Sequence, residues 1–173
     1  MTENPAQQEQ FTGLILLTGT DKPGISAELF NALTPFAVQV LDIEQIVINH
    51  RLILTVLLGL NPAHQSAIEE DLAACAVSND VDIATIFSKG ALIDTPKNLV
   101  EIHINSAKMH PRSVALITST VTESGANIQR FHRESSEATT ICLTISGSTS
   151  DKLSDAFNSL TFEDATTITM RDL

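Results

Sequence analysis

The chain has 173 residues, of which 43% are hydrophobic, so it is long enough for two small globular domains and too apolar to be intrinsically disordered. Its 21 acidic residues outnumber 10 basic ones and give a formal net charge of −11. Because no local excess of Lys or Arg is available to neutralise phosphates, we expect no nucleic-acid partner.

The ends of the chain and its cysteines favour a cytoplasmic protein without a membrane partner. Residues 1–10 are polar and lack Lys and Arg, which predicts a disordered N-terminus rather than a secretory signal. The longest apolar run, Leu52–Leu60, is too short to cross a bilayer. Cys75 and Cys142 have neither metal-ligand nor disulfide spacing, so we expect both to be small buried residues.

The first predicted elements are a strand, a turn and a helix. Residues 12–18 form a short apolar run that predicts a buried strand, and residues 19–24 form a glycine-bounded turn. Ser26 is placed to cap the helix that follows. Apolar residues at helical spacing define its inward face: Leu29, Leu33 and Phe36.

A hairpin follows this helix. Residues 38–48 carry apolar side chains at alternating positions. The alternation shifts by one residue at Glu44-Gln45, which predicts a β-bulge there. Asn49-His50 predicts a tight turn, and residues 51–60 return as the partner strand.

A second helix and a fourth strand complete the first half. The helix opens at Pro62, and its inward residues are Ile68, Leu72 and Cys75. The strand covers residues 81–87, with Val81, Ile83 and Ile86 as its apolar positions. The predicted order is β-α-β-β-α-β, followed by a linker over residues 90–97.

The second half repeats this order. Strands are predicted over residues 99–104, 127–133, 139–145 and 166–170, and helices over residues 111–124 and 150–160. Gly125 is placed to end the first of these helices, and Ser135-Ser136-Glu137 connects the hairpin strands.

The repeat predicts two domains of one fold, over residues 11–89 and 98–173. Asp42-Ile43 in the first copy corresponds to Asn127-Ile128 in the second, 85 residues further on. The order is that of an α+β, ferredoxin-like domain, an antiparallel four-stranded sheet with helices on one face. Each copy leaves a sheet face and edges uncovered, so we expect the copies to pair side by side or the chain to form a homodimer.

The first strand-to-helix turn has the chemistry of a binding site. Gly24 permits close approach of a ligand, and Pro23 stiffens the turn. The helix start presents unpaired N–H groups, which favour a carboxylate such as that of an amino acid. Asp21 either pairs with the ammonium group of the ligand or caps the helix.

A strand, then Asp21-Lys22-Pro23-Gly24-Ile25, then a helix resembles the amino-acid-binding ACT domain family, and the resemblance covers both copies from about Phe11. It implies that Asp21, Pro23, Gly24, Ile25 and Ser26 bind a small amino acid.

The resemblance extends to the start of the second strand. Asp42 occupies a position where many ACT domains carry Asn, and it either lies near the same loop and binds the ligand's amino group or is a polar residue facing solvent. Asn127 is its equivalent in the second copy. That copy lacks the Asp and Gly of the loop, so it is expected to be a structural partner that lends Asn105, Ser106 or Asn127 to a shared site.

The sequence of the first hairpin indicates which group of ACT proteins the chain resembles. Residues 41–48 and 51–54 resemble the N-terminal tandem ACT region of actinobacterial-type phosphoserine phosphatases, in which a haloacid-dehalogenase-like catalytic domain follows the second ACT domain. The resemblance implies a regulatory module that senses serine or glycine and has no cofactor of its own, with Mg²⁺ needed only by a catalytic domain beyond residue 173. The alternative is a stand-alone tandem ACT protein that acts by protein contact, like the regulator of the glycine cleavage operon.

No catalytic or metal constellation is predicted. Asp80-Val81-Asp82 resembles a phosphatase nucleophile motif, but its acids precede the strand that they should follow. His103 and Glu101 share one strand face, which is either a weak metal pair or, as is more common, a solvated face.

Overall fold

A computed structural model describes residues 10–90, 96–134 and 139–173. The chain divides into two compact units, with the boundary between residues 93 and 94, and each is described here by itself. The predicted disordered N-terminus, apart from Gln10, lies outside the described residues, as do most of the predicted linker and the turn Ser135-Ser136-Glu137.

The first unit has the predicted order of elements. Its strands are β1 (Gln10–Thr20), β2 (Gln39–Ile48), β3 (Arg51–Gly59) and β4 (Val81–Gly90), and its helices are α1 (Ile25–Leu33) and α2 (Gln65–Asn79), the latter preceded by a 3₁₀ turn (Pro62–His64). The strands form an antiparallel sheet in the order β2-β3-β1-β4.

The second unit repeats this arrangement. Its strands are β5 (Leu99–Ser106), β6 (Asn127–Arg133), β7 (Thr139–Ser146) and β8 (Thr166–Asp172), and its helices are α3 (Pro111–Glu123) and α4 (Ser150–Phe157). The antiparallel sheet has the order β6-β7-β5-β8, the counterpart of the first. The predicted fold class is thereby confirmed.

The core of each unit follows from alternation along the central strands. Ile15 and Leu17 of β1 are fully buried, whereas their neighbours Leu14 and Leu16 face away from the helices and are exposed. The helices bury residues spaced three or four apart: Ile25, Leu29 and Leu33 in α1, and Ile68, Leu72 and Cys75 in α2. Each fully buried aliphatic side chain contributes roughly 1.5–3 kcal/mol.

Two predicted turns have the expected backbone. Asn49 and His50 both adopt left-handed conformations, with φ of 47° and 62°, which suits a tight hairpin. Gly125 has φ 75° and follows the last residues of α3. Its N–H bonds the carbonyl of Thr122, and the N–H of Ala126 bonds the carbonyl of Val121, so α3 ends in a Schellman motif.

The predicted bulge at Glu44-Gln45 is wrong. The register of β2 against β3 shifts between Val40 and Asp42. The alternation of apolar residues shifts by one position because β2 is an edge strand with apolar residues on both faces. Ile43 lies opposite the buried Val56, whereas Ile46 lies opposite Ile53, which is on the other face of the sheet.

Two smaller predictions also need correction. In β4, Phe87 joins Val81 and Ile83 at the core in place of Ile86, which is 66% exposed on the opposite face. The rings of Phe87 and Phe11 stack with their centroids 6.1 Å apart. Helix α4 ends at Phe157 rather than residue 160. Among the described residues, no helix is long and apolar enough to span a membrane.

Candidate functional site

The turn between β1 and α1 presents an open backbone. Gly24 is the N-cap of α1 and has φ 95°, which an L-residue adopts only with strain. A Cβ built on Gly24 would meet no atom within 4 Å, so this surface is open rather than packed. The side chain of Ile25 is buried in the core and anchors the helix start, so only its backbone is available to a ligand.

The start of α1 has no side-chain cap, and the prediction that Ser26 caps it is wrong. Ser26 lies inside the helix, and its hydroxyl donates a hydrogen bond to Oε1 of Gln45 at 2.6 Å. Gln45 of β2 therefore fixes the helix start against the sheet. Sequence reasoning missed this residue, because an exposed glutamine in a strand has no distinctive spacing.

The carboxylate of Asp21 is exposed at this turn. Its backbone N–H donates to the carbonyl of His50 at 2.8 Å, which ties the turn to the β2–β3 hairpin. Among the described residues, no hydrogen bond or ion pair engages its side chain. The carboxylate thus lies beside an uncapped helix start without serving as its cap.

A shallow cleft of mixed charge lies next to the turn. Gly19 and Thr20, which lead into Asp21, line it together with Arg51, Asp80 and Asp82. Nζ of Lys22 in the turn is 4.0 Å from a carboxylate oxygen of Asp80. Asp80 and Asp82 precede the body of β4, which agrees with the sequence-based argument against a nucleophile motif.

The expectation that Asp42 lies near the same loop is contradicted by the strand register. Asp42 is opposite Leu57, and Leu57 is opposite Leu14 in β1. The loop begins after Thr20, six residues further along β1, and six extended residues span about 20 Å. Asp42 is exposed, and its Oδ1 accepts a hydrogen bond from the N–H of Ile43 at 2.8 Å.

The equivalent turn of the second unit lacks the glycine and has its own polar contacts. The hydroxyl of Ser106 donates to the carbonyl of Lys108 at 2.7 Å, and Nε2 of His110 lies 3.2 Å from Oδ2 of Asp164. Asn127 is opposite Ser146 of β7, which is in turn opposite Leu99 of β5, and Leu99 lies seven residues before Ser106. Within this unit, the turn and Asn127 are therefore as far apart as Asp21 and Asp42 are in the first.

His103 and Glu101 belong to a charged network on the sheet face away from the helices. Nε2 of His103 lies 2.8 Å from Glu101, and Nδ1 lies 3.0 Å from Glu134. Nε of Arg171 donates to Glu101 at 2.7 Å. The bond to Glu101, and then that to Glu134, raises the pKa of His103, and the bond from His103 lowers the pKa of Glu101.

Comparison with known proteins gives a family match within the first unit and two related proteins. Residues 12–85 match the family model described as the ACT domain. A phosphoserine phosphatase of Streptomyces coelicolor is 31% identical over 126 residues, or 70% of this chain and 30% of the relative. A phosphoserine phosphatase of Mycobacterium tuberculosis is 40% identical over 73 residues, or 41% of this chain and 18% of the relative. The chain thus spans less than a third of the length of these relatives.

Solved structures with the same fold cover nearly the whole chain. A putative glycine cleavage system transcriptional repressor aligns with a TM-score of 0.74 at 16% identity, covering 95% of this chain and 99% of the other. A protein of unknown function from Galdieria sulphuraria aligns with a TM-score of 0.70 at 15% identity and the same coverage. At these identities the likeness concerns the fold alone.

Proposed function

Since residues 12–85 match the ACT domain family and the second unit repeats the fold of the first, we propose that the chain is a cytoplasmic regulatory module of the ACT type that binds one small amino acid. The observation that supports this most directly is the open, uncapped start of α1 at Gly24, beside the unpartnered carboxylate of Asp21. The proposal assigns no cofactor to the chain itself.

The turn offers complementary groups for a zwitterion. A ligand carboxylate accepts hydrogen bonds from the first N–H groups of α1, where the helix dipole also favours negative charge. The ligand's ammonium group pairs with Asp21. Ser26 contributes through its backbone because its hydroxyl is already bonded to Gln45. Pro23 and Gly24 hold the backbone in the shape that admits the ligand.

Serine is the first ligand to test, and glycine the second. The relatives named above are phosphoserine phosphatases, and serine is the product of dephosphorylating phosphoserine. A product that binds a regulatory unit reports on flux through the reaction. Binding of serine would shift the unit between two arrangements by its differential affinity for them.

The strand register of the first unit means that a site containing both Asp21 and Asp42 requires a second chain. If one ligand is to contact both Asp21 and Asp42, the two residues must come from different molecules, because about 20 Å of strand separates them in one unit. We therefore include a homodimer in the proposal, with Asp42 of one chain completing the site of the other.

A second function remains open on the same fold. A tandem ACT protein that senses an amino acid and acts by protein contact would have the same two units. The solved structure of the repressor shares this fold over 99% of its own length and 95% of this chain. The reading frame past the codon for Leu173 distinguishes the two. A phosphatase domain encoded in frame supports the regulatory half of an enzyme, whereas its absence supports the contact regulator.

Calorimetry with a panel of amino acids tests the binding proposal. We expect heat of binding with serine or glycine, and a loss of affinity of about tenfold or more in Asp21→Asn, because a hydrogen bond to a charged group is worth roughly 1.5–3 kcal/mol. Asp71→Asn is the matched control, since Asp71 is an exposed acid on α2. Absence of heat with every small amino acid, or equal affinities in both variants, would contradict the proposal.

A further inference from the structure

The open face of the second sheet brings together metal-ligating side chains that the amino-acid site does not use. Cys142 of β7 lies directly between His103 of β5 and His132 of β6 in the strand register. Its chain neighbours Ile141 and Leu143 belong to the core, so Cys142 points to the face away from the helices. It is nevertheless only 2% exposed, because the surrounding side chains enclose it.

Two sets of potential ligand atoms share this thiol. In one set, Sγ of Cys142, a ring nitrogen of His132 and a carboxylate oxygen of Glu134 all lie within 4.8 Å of one another. In the other set, Glu101 and His103 take the place of His132 and Glu134. Ligand atoms of a tetrahedral zinc site lie about 3.3–3.8 Å apart, as follows from bonds of about 2.0–2.3 Å, so small side-chain rotations close either set around an ion.

The two sets differ in how many hydrogen bonds their carboxylates already make. Glu101 accepts hydrogen bonds from Nε of Arg171 at 2.7 Å and lies 2.5 Å from Nη2 of the same guanidinium. A metal ion at Glu101 would have to compete with that fixed positive charge. Glu134 instead lies 3.0 Å from Nδ1 of His103, an arrangement that orients one carboxylate oxygen and leaves the group further lone pairs.

We propose that Cys142, His132 and Glu134 bind a divalent transition-metal ion of the zinc type, with water completing the coordination. Thiolate, imidazole and carboxylate together form a donor set typical of zinc, whereas magnesium and calcium prefer oxygen ligands alone. The proposal is independent of amino-acid binding at Gly24, since every ligand lies in the second unit.

The charged network next to the thiol supports the first set of ligands. Arg171 is hydrogen-bonded to Glu101, and Glu101 is hydrogen-bonded to Nε2 of His103. Nδ1 of the same histidine is hydrogen-bonded to the carboxylate of Glu134. Hydrogen bonds of this kind orient the ligands of metal sites and tune their basicity. In the proposed site His103 positions Glu134 and is not itself a ligand.

The site could not be recognised from ligand spacing. His132 and Glu134 are two residues apart at the end of β6, and the thiol comes from the neighbouring strand across the hairpin. Only the register, which aligns His132 with Cys142, brings them together.

The untagged chain, freed of metal by a chelator, tests the proposal by titration with Zn²⁺ and with Co²⁺. We expect one Zn²⁺ per chain in calorimetry and a rise in Tm, because an ion that binds only the folded state stabilises it. Co²⁺ should give a thiolate-to-cobalt charge-transfer band in absorption. Cys142→Ser and His132→Ala should abolish this band, whereas Cys75→Ser and His110→Ala, which alter a cysteine and a histidine outside the site, should retain it.

Variants of Glu101 and His103 test which of the two sets of side chains binds the metal. Glu101→Gln should keep the cobalt band, and His103→Gln should weaken Zn²⁺ binding by about tenfold or more while the band persists. Absence of the band in the unmodified chain, or its survival in Cys142→Ser, would overturn the proposal. Loss in Glu101→Gln with retention in His132→Ala would also overturn it. His132 is exposed, so circular dichroism should show that His132→Ala folds even if Cys142→Ser does not.

Discussion

Gly24 has a conformation that only glycine adopts without strain, and its surroundings are empty. Replacement by Ala meets no steric contact within 4 Å, so its effect on stability comes from the backbone. We expect Gly24→Ala to lower the free energy of unfolding by about 1–2 kcal/mol, the cost of placing an L-residue in the left-handed region. A domain of ordinary stability remains folded after such a loss.

Gly125 provides a matched control for that variant. It also has a positive φ and open space where a methyl group would lie, but it is at the end of α3. Gly125→Ala should cost a similar amount in urea unfolding and leave serine binding unchanged, whereas Gly24→Ala should weaken binding as well. Equal affinities in the two variants would place the ligand away from the β1–α1 turn.

Single residues were predictable where backbone chemistry decides the structure. The turn at Asn49-His50 and the helix end at Gly125 follow from residues that tolerate positive φ. Ser26 was misjudged because its residue type suits a cap, whereas Gly24 takes that position and Gln45 supplies a partner for the hydroxyl. A tertiary hydrogen bond of this kind has no local signature.

At the scale of elements, the start of α4 depends on a carboxylate from β8. The backbone N–H and hydroxyl of Ser150 donate to Asp172 at 3.0 and 2.7 Å. These bonds, the hydroxyl's first, lower the pKa of Asp172 below its ordinary value of 3.8. Because the folded-state pKa is the lower one, the contribution to stability is present above pH 3.8 and is lost as the pH falls through the lowered value.

Asp172→Asn should therefore reduce the urea midpoint of the second unit near neutral pH, and the difference from the unmodified chain should shrink as the solution is acidified to about pH 2. Asp155→Asn, an exposed acid in the same helix, is the control and should show little change. A deficit of Asp172→Asn that is the same at every pH would mean that the ionised carboxylate is not what stabilises this contact.

Edge strands explain which elements were poorly predicted from the sequence. The central strands β1 and β3 have one buried face, and their alternation was interpreted correctly. Strand β2 is at the edge and is exposed along nearly its whole length, so the pattern of its apolar residues does not report which face is inward. The bulge was misplaced for this reason.

At the scale of the whole molecule, the two units share a fold but have diverged at the turn that matters for binding. The first turn is open at Gly24, whereas the second has no glycine and its His110 lies 3.2 Å from Asp164. We expect one amino acid to bind per chain, measured as the stoichiometry in calorimetry. Two equivalent ligands per chain would contradict this expectation and show that the second turn binds an amino acid without the glycine.

The repeat was readable from the sequence because its 85-residue offset preserves the order of all elements. The position of Asp42 was not, because correspondence with a family position does not say at which end of the sheet a residue lies. In this topology β2 starts at the end of the sheet opposite the β1–α1 turn. A residue of the β1–α1 turn and a residue at the start of β2 can therefore contact one ligand only if they come from separate units.

This geometry links serine binding to self-association. If Asp42 of one chain completes the site at Asp21 of another, serine binds the dimer better than the monomer, and by linkage it must raise the dimer fraction. Sedimentation of the unmodified chain should show more dimer with serine than without it, and the apparent affinity for serine should rise with protein concentration. Asp42→Ala, which removes the side-chain acceptor, should abolish both effects, while Asp71→Ala preserves them. A serine affinity that stays constant over the concentrations at which sedimentation shows the chain changing from monomer to dimer would mean that one chain holds the complete site and that Asp42 has no part in it.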